Sequence, residues 1–150
     1  MRNIFTLAIA GAIIAVPTAA VADHHEEGPT IRENAEYMEV VLIDIKPGKR
    51  DRAEDIIENY FRKASKAAGT DMPYMVHLQT GEWDFIVAWD MKDGPVEYTY
   101  TGTPNEKKWW AAMVEIAGGE DQAKAIRDEY SSLIARSNSM LGHHHTEAAE

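Results

Sequence analysis

The residues of this chain best suited to chemistry are its six histidines, set among 25 carboxylates with no cysteine. His77 is the histidine inside an apolar stretch, Tyr74 to Met91. An imidazole titrates near neutrality, and beside a carboxylate it can serve as a base or orient a ligand. A two- or four-residue turn at Gly81-Glu82 would pair Leu78 with Phe85, Val76 with Val87, and His77 with Ile86. That register sorts the hairpin into a wholly apolar face and a mixed one. On the mixed face His77 would meet Asp44 and Gln79, with Asp84 and Asp90 on the same side. His77 and Asp44 are therefore the catalytic candidates and Gln79 a ligand contact. The alternative is a hydrogen-bonded sheet histidine with aspartates at wet strand ends.

A second constellation is His24-His25-Glu26-Glu27 near the start and His143-His144-His145 near the end. Adjacent imidazoles and carboxylates can hold zinc, copper or nickel, although the spacing matches no closed structural zinc motif. Tyr98 and Tyr100 lie in a long connection, 92–103, and would either line a pocket or pin that loop. Trp109 is a further ligand candidate; its neighbour Trp110 points about 100° away on a helix. No glycine-rich phosphate loop or nucleophile elbow is present, and no cofactor is assigned.

The elements that must position these groups follow from periodicity. Residues 37–45 read as a strand that ends at Lys46-Pro47-Gly48, with Val41, Ile43 and Ile45 on one side and Val40, Leu42 and Asp44 on the other; its near-continuous apolarity implies that both faces are covered, by helices or by another subunit. From Lys49 to Ala68 apolar residues recur at three- and four-residue steps, and Gly69 stops the helix. Thr103-Pro104-Asn105-Glu106 has the form of a capping box opening a second helix, which Gly118-Gly119 breaks. A third helix spans 120–136 and a short last strand 137–142. The order strand, helix, strand, strand, helix, strand predicts an α+β, ferredoxin-like split βαβ fold: a four-stranded antiparallel sheet with its helices on one face. Val40, Leu42, Met75, Ile86 and Ala88 are then expected on the open face. Covering them with a second copy would make a homodimer.

The chain begins Met-Arg-Asn, continues through an apolar 4–16 and reaches Ala20-Val21-Ala22, the form of a secretory signal peptide cut before Asp23. Thirteen apolar residues are too few to cross about 30 Å of hydrocarbon. Export would place the mature chain in the periplasm or outside the cell. The expected organisation is a signal peptide at 1–22, a polar leader at 23–35, one domain at 36–142 and a histidine-rich polar tail at 143–150. Removing 1–22 takes away Arg2 and moves the net charge from −10 to −11. An acidic chain without a basic stripe is unsuited to nucleic acid or anionic lipid.

In its Lys-Pro-Gly-Lys strand end, its Gly-Glu hairpin leading into Asp-Phe-Ile-Val-Ala-Trp, and its last helix running into Ser-Asn-Ser-Met-Leu, the chain resembles the dimeric α+β barrel superfamily over about 36–142. That resemblance implies a dimer and leaves activity open, since the superfamily includes cofactor-free monooxygenases, haem-degrading enzymes and haem peroxidases. Its haem-handling members supply a histidine from a helix, and no predicted helix here carries one. The expectation is an exported homodimer that binds a small, partly apolar molecule. The alternatives are a cofactor-independent monooxygenase using His77 with an aspartate, and a divalent-metal protein acting through its histidine tails.

Overall fold

The computed structural model describes Thr30 and residues 32–146. Four strands, β1 (Ala35–Ile45), β2 (Tyr74–His77), β3 (Phe85–Met91) and β4 (Ile134–His145), form one antiparallel sheet in the order β2-β3-β1-β4. Helices α1 (Arg50–Ile56) and α2 (Arg62–Ala68) flank a π turn (Ile57–Phe61), and α3 (Pro104–Ala117) and α4 (Glu120–Leu133) follow β3. This is the α+β, ferredoxin-like arrangement that the element order predicts, with the helices on one face of the sheet.

The alternation of β1 and β3 supplies the face that those helices cover. Ile43, Ile45, Phe85 and Val87 pack against Ala53, Ile56 and Ile57 of the first helical run and Leu133 of α4. Each large side chain buried there contributes roughly 1.5–3 kcal/mol relative to exposure in water. A second cluster, Ala64, Met113 and Ala123, joins α2, α3 and α4, and Tyr60 and Phe61 border both clusters. The π turn takes up about one extra residue, so that Ile56 and Ala64, eight apart, lie along one buried stripe that runs from the sheet cluster to the helix cluster. Gly69, at φ 62°, ends the run in the left-handed conformation that glycine adopts at little cost. At the start of α3 the Thr103 hydroxyl accepts from the Glu106 N–H, and Glu106 accepts from the Thr103 N–H, which completes the capping box.

Two expectations need correction. The hairpin register is shifted by one: His77 pairs with Phe85, Val76 with Ile86, Met75 with Val87 and Tyr74 with Ala88. Asp84 is the cause. Its N–H donates to the Ile43 carbonyl at 2.9 Å, its carboxylate accepts from the Ile45 N–H at 2.7 Å and from Arg50 at 3.2 Å, and its carbonyl accepts from the Leu78 N–H at 2.8 Å. Contacts to β1 and α1 therefore fix where β3 begins, and the turn residues do not. A one-residue shift exchanges faces. Met75 and His77 turn toward the helices, and Tyr74 and Val76 take the open face instead.

The second correction is at β4, which runs through His145, past the expected end at Gly142 and into the segment expected to be a polar tail. It pairs with β1 from Ile45↔Ile134 to Ala35↔His145, with an irregularity at Asp44/Ile45. Its exposed, polar composition hid the pairing from a search for apolar alternation. The long connection also has structure, a 3₁₀ helix at Gly94–Thr99.

Candidate functional site

His77 sits on the helix-covered side near the end of β2, about one-third exposed. Its Nδ1 lies 3.2 Å from the Glu54 carboxylate, and its ring stands edge-on to Phe85 with centroids 5.0 Å apart. Glu54 also accepts from Arg50 Nε at 2.9 Å, and the same guanidinium donates to the Leu78 carbonyl at 2.7 Å and to Asp84 at 3.2 Å. The Arg50 hydrogen bond, reinforced by His77 and opposed by partial burial, holds Glu54 below its ordinary value. The imidazole is thereby oriented, but by a network that ties α1 to the hairpin.

Asp44 does not take part. It lies on the opposite face of the sheet and accepts from Arg136 at 3.0 Å, while the Arg136 guanidinium covers the Trp83 ring at 4.4 Å. The expected His77–Asp44 couple is thus overturned by the hairpin register, and Glu54 occupies the carboxylate position. Arg50 and Glu54 had a legible signal: with Ala53 and Ile57 they share one helix face by the i, i+3, i+4, i+7 rule.

The other expected ligand residues scatter. Gln79 is exposed in the 78–84 connection. Tyr98 is exposed on the 3₁₀ segment and Tyr100 just after it, and the Tyr100 hydroxyl donates to Asp93 at 2.9 Å, which pushes the phenol above its usual range. Trp109 joins helices: its indole N–H points to the Ser65 hydroxyl at 3.1 Å and the Phe61 carbonyl at 3.3 Å. A shallow concavity lined by Arg62, Lys63, Lys66, Thr70, Asp71 and Met72 contains none of the predicted site residues.

His24 and His25 lie outside the described residues. His143 and His145 share the helix side of β4 by alternation, with ring centroids 5.1 Å apart, whereas His144 takes the other face and meets Glu36 at 3.1 Å. His143 also accepts from Arg32 at 3.1 Å and is held below the usual imidazole range by partial desolvation, the Arg32 charge and its neighbouring histidines. Among the described residues no three His, Cys, Asp or Glu side chains converge as a metal cage.

No residue pattern signals an opening in the helix-covered face. Along that side of β3 the exposures run 0 % at Phe85, 4 % at Val87, 46 % at Trp89 and 8 % at Met91. The row containing Trp89 continues across the sheet through Glu39 to Leu141, itself 47 % exposed. The helix cluster covers the rows on one side of it. On the other side the 3₁₀ segment approaches Tyr37, where a Cβ added at Gly94 would lie 3.4 Å from the ring. Between them lies an uncovered strip with an indole, an aliphatic side chain and a carboxylate on its floor. The Ser139 hydroxyl donates to that carboxylate.

No family model matches the sequence, and no curated protein matches it. Solved structures with a similar chain path include a NIPSNAP family protein with unknown function from Agrobacterium tumefaciens, with 10 % identity and TM-score 0.47, covering 78 % of this chain and 95 % of that one. A second NIPSNAP family protein from the same organism gives 13 % and 0.43, with 71 % and 90 % covered. An uncharacterized NIPSNAP domain protein from Burkholderia xenovorans gives 12 % and 0.41, with 76 % and 99 % covered. The α+β assignment stands on the sheet order and helix placement described above.

Proposed function

We propose that this chain is an exported, homodimeric protein that binds a small, partly apolar molecule on the strip floored by Leu141, Glu39 and Trp89. The observation that carries this is the rise from 4 % exposure at Val87 to 46 % at Trp89 and the return to 8 % at Met91, along one face of one strand. An indole left open between two covered rows is suited to stacking or apolar contact. Glu39 beside it favours a ligand with a hydrogen-bond donor or a positive group. Export is supported by the basic, apolar and Ala-x-Ala progression of 1–22. Dimerisation is supported by the apolar open face, where Val40, Leu42, Val76, Ile86, Ala88 and Met140 lie together by register.

Titration with the neutral dye Nile red tests the binding site. Saturable fluorescence enhancement is expected in the wild type, with a clear loss in Trp89→Ala at unchanged circular dichroism. Equal binding by the variant, or none by the wild type, would overturn the assignment. Amino-terminal sequencing of the accumulated protein is expected to begin at Asp23; Met1 would rule out cleavage.

A further inference from the structure

We propose that His143 and His145 form a two-imidazole site for a divalent transition-metal ion at the end of β4, with water completing the coordination. The strand makes the site. Residues two apart on a strand share a face, so pairing with β1 at Tyr37↔His143 and Ala35↔His145 sends both rings to the same side. Their centroids are 5.1 Å apart, a separation that two metal–nitrogen bonds of about 2.0–2.1 Å, added to the ring dimensions, can bridge. Both histidines are exposed on a strand at the sheet edge, so an ion can approach from solvent.

His143 Nε2 already faces a donor, the Arg32 guanidinium at 3.1 Å. An arginine donates and never accepts. That nitrogen therefore presents a lone pair, the form in which imidazole binds metal. A metal ion would take the lone pair in place of Arg32. Imidazole pairs suit copper, nickel and zinc, with copper(II) bound most tightly. His144 is excluded from the pair because the same alternation turns it to the other face, against Glu36. The site is thus a pair of alternate residues within the run of three.

Calorimetric titration with copper(II) and zinc(II) tests this, using the full chain with His24→Ala and His25→Ala so that only the β4 histidines contribute from the two clusters. Saturable binding is expected, tighter for copper. A group that only orients a ligand is worth about 10–100-fold in affinity, so His143→Ala and His145→Ala should each lose about tenfold or more. His144→Ala should be unchanged, and Arg32→Ala should bind more tightly because a competing donor and its charge are removed. Absence of saturable binding at micromolar metal would overturn the proposal. So would a loss in His144→Ala equal to that in His143→Ala, since three interchangeable histidines describe a loose tail and not a strand-fixed pair.

Discussion

The two faces of the sheet are built from the same strands with similar residues and have opposite fates. One face of β1 and β3 carries Ile43, Ile45, Phe85 and Val87, all buried beneath α1, the π turn and α4. The other carries Leu42, Ile86 and Ala88, none fully buried, and reaches Tyr74 at 72 % exposure. Apolar alternation alone therefore does not tell a covered face from an uncovered one. Connectivity decides, because both crossovers return over the same side.

The sharpest test of that contrast is Phe85→Ala, which should cost about 3–5 kcal/mol in chemical denaturation because it empties a closed core. Ile86→Ala, one residue along and on the other face, should cost distinctly less when measured on dilute protein. Equal losses would mean that both faces are closed in the monomer. Leu42→Asp should next shift a dimer to monomer in sedimentation equilibrium, since a carboxylate would replace a side chain contributing roughly 1.5–3 kcal/mol when buried. A wild type that remains monomeric at tens of micromolar would remove the dimer and leave the open face solvated.

A smaller effect is expected from Thr103→Ala, about 1 kcal/mol. It removes the cap of α3, which packs on the other helices, so the relation between the two sheet faces should be unchanged. The smallest concerns acid. Glu54 is held below its ordinary value, so its stabilisation is present above the unfolded value of about 4.3 and is lost as pH falls through the lower folded value. Glu54→Gln should therefore flatten the fall in melting temperature below about pH 4.3, and an unchanged acid limb would show that the Arg50–Glu54–His77 network adds nothing to the covered face.

Much of the fold was legible because its signals are local. The capping box at Thr103, the stop at Gly69 and the apolar run from Val40 to Ile45 depend on neighbours within a few residues. The hairpin register depended on Asp84 reaching β1 and α1, a contact that turn chemistry does not encode. An apolar partition that looked clean pointed to the wrong pairing, and with it went the His77–Asp44 couple. The exposed row at Trp89 was equally hidden, since burial depends on where the helix layer stops. The extent of β4 was missed because a strand of Ser, Asn and His carries no apolar period.

The π turn at Ile57–Phe61 has a consequence for what this chain tolerates. Its surface is permissive: Glu58 and Asn59 are exposed, and Asn59 hydrogen-bonds at the surface with Asp55 and Lys63. Substitution there should matter little. A π turn holds about one residue more than the ordinary helix it interrupts, so deletion of Asn59 would restore an ordinary helix and keep the turns after it in their present orientation, with Ala64 still toward Met113 and Ser65 toward Trp109. At this point in the chain residue identity is free, and residue number is free by one.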